Sequence, residues 1–348
     1  MSDPKLPDGF PGARTPGLVC AHHHLYSALA RGMPAPPKVP RSFPEILEQV
    51  WWRLDRALDL DLVYWSAKLG ALEALLAGTT AIVDHHASPS CIEGSLDVIA
   101  QACAEVGVRV RCCYEVTDRG GPAEAKAGLA ENERFLRAGG QGYVGAHACF
   151  TLSPATLEAV CGLAQDLGVG VHIHVAEDAC DAEAGARLAP LARDDWLLAH
   201  GVHLDRPLPG TLVHNPRSNM HNAVGYARPR RFGDRVALGT DGIGGDMLEE
   251  FRIAYVRLRE HDVTAAPTEP WAWLAGGWHL VPEALEDEVV WSYAPMDPWH
   301  LAFTPGVRPL QVRVGDRLVL DQGRPTLVDP EEVRAKAAEA ATRLFARL

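Results

Sequence analysis

The stretch His172-Ile173-His174-Val175-Ala176-Glu177 follows the apolar run Leu167–Val171 and reads as the exposed tip of a buried strand. Neutral imidazole is a common zinc ligand. A carboxylate three residues beyond the imidazole can reach a metal-bound water without ligating the metal. A second pair, His22 and His24, stands two apart, so both side chains point to one face of a strand while His23 points away. Buried imidazoles need partners, which makes a packing role hard to sustain for the pair. Asp241, in Leu238-Gly239-Thr240-Asp241-Gly242, adds an oxygen donor from a later strand end. His22, His24, His174 and Asp241 form a nitrogen-rich set that suits one Zn²⁺ and is also compatible with Fe²⁺. His172 shares a face with His174 but lies deeper, as a support or packing residue.

A metal in such a set acidifies bound water and yields a hydroxide nucleophile near neutral pH. The protons then need carriers. Glu177 can take one from the water and pass it to the substrate. His200 can orient the nucleophile, or stand as a satisfied core histidine. Asp241 can accept a hydrogen bond from the nucleophile while ligating. A two-metal centre would usually need a bridging lysine carbamate or carboxylate inside the barrel. No lysine lies between Lys126 and Lys336, which points to one ion. Other strand ends offer substrate contacts. They are His147 after the fourth strand, Glu115 and Arg119 after the third, His86 after the second and Arg217 after the seventh. His147 is a donor for a carbonyl or ring nitrogen. Arg119 and Arg217 could bind a carboxylate or carbonyl, or form loop ion pairs.

Elements must position these groups. Eight short apolar runs each end in polar or ionisable residues: Leu18–His24, Thr79–His86, Arg109–Glu115, Tyr143–His147, Val169–His174, Trp196–His200, Thr211–His214 and Arg235–Asp241. Such runs suit strands buried on both faces. Helical patterns separate most of them. Leu62–Leu76 is one. Leu96, Ile99, Ala100 and Cys103 make the stripe of another, closed by Gly107. Ser153-Pro154 opens a third, closed by Gly168. Met247–Arg259 is a fourth. The gap between His200 and His214 leaves room only for a loop or a single turn. The pattern predicts an α/β fold, a (β/α)8 TIM barrel with its active site at the C-terminal strand ends. The barrel is expected over 16–285. A small, truncated β appendage follows over 286–348, with a hairpin turning at Gly315-Asp316 and a C-terminal helix capped by Asp329. Residues 1–17, rich in Pro and Gly, show no periodicity. The long first connection, with Pro34–Pro40, Trp51, Trp52, Tyr64 and Trp65, fits a lid, a subunit contact or plain packing equally, so a homo-oligomer stays open.

Composition narrows the partners. The chain has 348 residues, 47% of them hydrophobic, and a formal net charge of −12. That charge argues against nucleic acid as a partner, and the absence of a basic run argues against an anionic membrane surface. Eight cysteines without a CxxC pair, and no signal-peptide pattern, read as reduced thiols in a cytoplasmic protein. A small-molecule substrate is the expected partner.

These motifs resemble the amidohydrolase superfamily, in its cytosine deaminase and chlorohydrolase-like branch. Pro16-Gly17-Leu18-Val19 leading to His22-His23-His24-Leu25 is similar to the first-strand HxH motif. His172–Glu177 resembles HxHxxE, in which the histidine three before the glutamate is the ligand. Ala199-His200-Gly201, His214-Asn215-Pro216 and Gly239-Thr240-Asp241-Gly242 follow in the same order. Within the branch, residues 51–58, 84–89, 215–222 and 238–247 are most similar to SsnA-type aminohydrolases. The resemblance implies hydrolytic deamination of a nitrogen heterocycle such as a purine, pyrimidine, pterin or triazine, with release of ammonia. Two alternatives are hydrolysis of another C–N or C–Cl bond and a metal-containing binding or scaffold protein without turnover. Two departures stand out. His22 comes too early for the β-strands that usually precede the barrel, and Trp271-Ala272-Trp273-Leu274 replaces another helix region. An exposed apolar edge is therefore expected on the hairpin, covered by the N-terminal tail, the last helix or another subunit.

Overall fold

A computed structural model describes residues 9–348. The expected irregular segment 1–17 lies partly outside them. The apolar runs form parallel strands in two arcs. One arc holds β2 (Leu18–His24), β3 (Thr79–His86) and β4 (Arg109–Tyr114). The other holds β5 (Val144–Ala148), β6 (Val171–Val175), β7 (Leu197–His200), β8 (Thr211–His214) and β9 (Val236–Leu238). Most bounds lie within one or two residues of the expected ones.

Two seams close the arcs into a barrel. At the first, β4 meets β5 through parallel bridges Cys112↔Gly142 and Val116↔Ala146. A Cβ on Gly142 would stand 1.8 Å from the Cys112 carbonyl oxygen, so no other residue fits there. At the second, the last expected strand divides. Val236–Leu238 stays with β8, and β10 (Asp241–Gly242) pairs instead with β2, Asp241 opposite His23. Between them, Thr240 N donates to the His22 carbonyl at 3.0 Å. Gly239 permits the crossing, because a Cβ there would lie 2.5 Å from Asn215 Oδ1 and 2.8 Å from the His22 carbonyl. The outward His23 ring sits 2.7 Å from Thr240 Oγ1 and fastens the same seam.

The helices obey their end signals. Ser153 Oγ accepts from Thr156 N at 3.1 Å, Pro154 opens the helix Pro154–Leu167, and Gly168 ends it at φ +67°. The helix Leu60–Leu76 begins at the Asp59 cap, two residues before the apolar pattern. It is apolar on most of its surface because the C-terminal helix Pro330–Phe345 packs along it. The Asp59–Arg347 and Asp61–Arg343 ion pairs join the two. From 200 to 211 the chain runs as a loop, as the short gap requires.

The appendage is larger than a hairpin. Its antiparallel sheet runs β1 (Arg14–Thr15), β11 (Glu288–Trp291), β12 (Pro309–Val314), β13 (Arg317–Asp321), β14 (Arg324–Pro325). Gly315, at φ +55°, makes the turn. The hairpin's apolar edge, expected under the N-terminal tail, the last helix or another subunit, lies under β14, which pairs with β13, while Arg14–Thr15 of the N-terminal segment covers β11. The C-terminal helix lies on the barrel's helical layer, on Leu60–Leu76. The stretch 271–274 lies in the helix Thr268–Ala275, whose Trp271 and Trp273 bury against the barrel wall. Trp278 and Trp291 are buried with their indole N–H groups satisfied, by the Gly17 carbonyl at 2.7 Å and Thr15 Oγ1 at 2.8 Å. Among the described residues no helix is long and apolar enough to cross a membrane.

Candidate metal centre and active site

His22 and His24 leave β2 on one face, His174 leaves β6, and Asp241 opens β10. Their four ligand atoms lie within 4.8 Å of one another. His24 Nε2 is 3.0 Å and His22 Nε2 3.2 Å from Asp241 Oδ1. His24 Nδ1 lies 2.5 Å from the His85 carbonyl, and His174 Nδ1 2.9 Å from the His147 carbonyl. A carbonyl only accepts, so both Nδ1 atoms carry the proton. The Nε2 atoms of His24 and His174 then face each other across 3.2 Å. Two lone pairs at that distance repel unless a positive charge stands among them.

His22, His174 and Asp241 are held in the protonation states a cation needs. Burial holds His22 and His174 well below the usual imidazole range. Burial raises Asp241, but hydrogen bonds from His22 and His24 outweigh it and keep the carboxylate ionised. Burial lowers His24, yet Asp241 more than offsets this and lifts it to about 9. A proton on His24 Nε2 and a metal ion are alternatives for one lone pair. Three imidazole nitrogens and one carboxylate oxygen fit a catalytic divalent centre.

Each donor has a holder. His172 Nε2 lies 2.8 Å from His22 Nδ1, and Cys113 Sγ lies 3.7 Å from His172 Nδ1. The Ser218 hydroxyl donates to Asp241 Oδ2. The backbone is strained at the strand ends. Ala176, His200 and Asp241 have φ of +46°, +72° and +59°. Such non-glycine conformations cost on the order of 1–3 kcal/mol each. Here they end strands and lie beside or at the groups of the site.

Glu177 and His200 stand on the same rim, with Oε2 3.5 Å from Nε2. Asn219 Oδ1 lies 2.7 Å from His200 Nδ1, while Nε2 has no hydrogen-bond partner among the described residues. Burial, then the nearby Asp241, pushes Glu177 well above the usual carboxylate range. Asn222 Nδ2 reaches its Oε1 at 3.4 Å. Above this floor opens a cavity. Phe43, Leu47, Trp51 and Trp52 roof it, from the long first connection. Tyr26, Asp55, Glu115 and His147 complete its wall.

Comparison with known proteins agrees with this architecture. A family model described as the amidohydrolase family matches residues 14–269. The chain belongs to the amidohydrolase family. Among its relatives is the 5-methylthioadenosine/S-adenosylhomocysteine deaminase of Desulforudis audaxviator (strain MP104C), 31% identical over 95% of this chain and 86% of that protein. A 5'-deoxyadenosine deaminase from Methanopyrus kandleri is 31% identical over 73% of this chain, which spans 64% of that relative's length. Among solved structures, an adenosine deaminase from Xanthomonas campestris with bound zinc has TM-score 0.79 and 23% identity, covering 96% of this chain and 86% of its own. The atrazine chlorohydrolase TrzN from Arthrobacter aurescens TC1, complexed with zinc, has TM-score 0.78 and 21% identity, covering 94% and 88%. At these identities the structural likeness speaks for the barrel fold.

Within this amidohydrolase site, His22, His24, His174, Asp241, Glu177 and His200 converge. His147 lines the cavity, its Nδ1 2.6 Å from Thr151 Oγ1, and so does Glu115. Three expected substrate contacts do not line it. His86 turns its Nε2 to Ser88 Oγ at 2.7 Å, behind Tyr26. Arg217 is spent on Glu250 at 2.8 Å and on the Thr240 and Gly242 carbonyls, so it braces the Asp241 loop. Arg119 lies behind the wall, paired with Asp55 at 2.7 Å and stacked on Trp52. In each case the loop ion pair or turn chemistry prevails. Asp55, Tyr26 and Asn222 went unassigned as site residues in the sequence. The Trp51–Leu58 motif was the available signal for Asp55. Nothing local marks Tyr26, which the chain turns inward just after β2.

Proposed function

We propose that this chain is a zinc-dependent hydrolytic deaminase of an aminated nitrogen heterocycle. The carrying observation is the convergence of His22, His24, His174 and Asp241 beneath one cavity, with Glu177 and His200 on its rim. The deaminase names of the relatives, on adenosine-type compounds, support the same reading. His22, His24, His174 and Asp241 would hold a divalent cation, which would supply an acidified water as nucleophile at neutral pH. Glu177 is buried and holds a proton readily, so it carries one to the ring nitrogen next to the reacting carbon. His200, fixed by Asn219, turns its free Nε2 to the same space and orients the nucleophile. His147 presents its outer ring nitrogen to the substrate's carbonyl or ring nitrogen. Phe43, Trp51 and Trp52 exclude bulk water, which strengthens each polar contact inside. Hydrolysis releases ammonia and leaves a carbonyl on the ring.

The test combines metal analysis with ammonia release from a panel of purine nucleosides, pyrimidines, pterins and triazines. Stoichiometric zinc with ammonia from one ring class is expected. Zinc-loaded protein that releases no ammonia from any of them overturns the reading. Chloride release from a chlorinated ring would redirect it to another leaving group.

A further inference from the structure

The cavity wall beside the metal centre is rich in carboxylates. Its lining includes Asp55, Glu115, Glu177 and Asp241, and no lysine or arginine among the described residues. Asp241 serves the metal and Glu177 the proton. Asp55 and Glu115 have no part in that chemistry. Both are almost fully buried, at 1% and 5% exposure. One guanidinium serves both from behind: Arg119 Nη2 is 2.7 Å from Asp55 Oδ2 and 3.6 Å from Glu115 Oε1. Asp55 Oδ1 has no hydrogen-bond partner among the described residues. The other cationic or potentially cationic groups near Glu115 are His85 Nδ1 at 3.4 Å and His147 Nε2 at 4.0 Å. Glu115 thus keeps acceptor capacity unused.

We infer that Asp55 and Glu115 form an acceptor wall, which selects a substrate presenting adjacent N–H donors, as an amidinium or a 2-amino-lactam edge does. This deepens the deaminase reading and rests on it. Two buried carboxylates sharing one guanidinium have lone pairs left for donors. Against Asp55 and Glu115 a substrate carboxylate or phosphate would meet like charge in a site of low dielectric, with no guanidinium or ammonium turned toward it. A donor edge satisfies both oxygens at once, with charge-assisted hydrogen bonds. The two carboxyls differ in protonation: Glu115 accepts throughout, and Asp55 accepts once ionised. Burial pushes Asp55 up to about 7, against Arg119. Burial raises Glu115 too, but His147, His85 and Arg119 outweigh it and hold it well below the usual range. Glu115 is therefore the fixed anion and Asp55 its adjustable neighbour.

Calorimetric titration of the zinc-loaded protein tests this with two probes of one shape, benzamidinium and acetophenone. The first offers paired N–H donors, the second only an acceptor. Benzamidinium should bind about tenfold or more tighter, and lose about tenfold in Glu115→Gln. A smaller loss is expected in Asp55→Asn, with acetophenone unchanged in both. Acetophenone binding as well as benzamidinium, no saturable benzamidinium binding, or unchanged benzamidinium affinity in both variants overturns the inference. If Glu115→Gln fails to load zinc, Asp55→Asn decides, since Asp55 touches none of the metal-holding groups. The two readings fail separately. Ammonia released fastest from rings without a donor edge sinks the wall and keeps the deaminase. Tight benzamidinium binding without ammonia from any ring does the reverse.

Discussion

His172 Nε2 stands 2.8 Å from His22 Nδ1, so the ring of one imidazole is held by another on a different strand. A metal on His22 Nε2 would require the His22 proton on Nδ1, where His172 Nε2 stands to accept it. Removing such a support typically costs about 10–100-fold in metal affinity. His172→Phe should therefore lower zinc affinity by that order, read by competition with a chromophoric chelator, while His24→Ala should lose zinc outright. Unchanged affinity in His172→Phe would remove its supporting role.

Glu177→Gln keeps the shape of the rim and removes its proton carrier. Zinc content should stay at the wild-type level, and kcat should fall by about 10²–10⁴-fold. Full activity in the variant would end the proton-transfer assignment.

The cavity roof is held by a small apolar cluster of its own. Phe43, Leu47 and Val224 pack apart from the main core, with Trp51, Trp52, Phe150 and Val202 around them. Phe43→Ala should raise KM severalfold and leave the thermal midpoint near wild type. Leu72→Ala, in the main core, should instead cost about 2–5 kcal/mol. Equal destabilisation by both would show that roof and core unfold as one packing unit.

Asp84 gives stability a dependence on pH. It is fully buried, its Oδ1 accepts from Leu25 N at 2.7 Å, and burial lifts it from 3.8 to about 7. Between those values the folded state binds the extra proton, so stability falls as pH rises. The contribution is complete below about pH 4 and is lost through about pH 7, at up to ~1.4 kcal/mol per pH unit. Asp84→Asn keeps the acceptor for Leu25 and removes the titration. Denaturant midpoints from pH 4.5 to 7.5 should slope less in the variant. An identical slope would place the dependence elsewhere.

The barrel and its metal set were legible because burial and period speak locally. Strands buried on both faces leave apolar runs, and His22, His24 and His174 stand at their ends. The division of the last strand was not legible, because it depends on Gly239 passing between Asn215 and His22, residues far apart in sequence. The choice between substrate contact and ion pair for the arginines was not legible for a related reason. Arg119 and Arg217 each sit beside loops that look substrate-facing, but their partners Asp55 and Glu250 come from distant segments. The strand over the hairpin edge was not legible because β14 is only two residues long and contains a proline, too short to leave a pattern.

Asp241 belongs to the terminal staves of the cylinder, hydrogen-bonded to the initial one rather than to its predecessor. An ion gripped by His22, His24, His174 and Asp241 would tie the initial stave, the terminal stave and one from the opposite arc together, like a buckle. Chelation would then do more than silence turnover. It would release the clasp where the wall is thinnest, so hydrogen exchange should quicken first along 236–242 and 18–24, ahead of the rest of the cylinder.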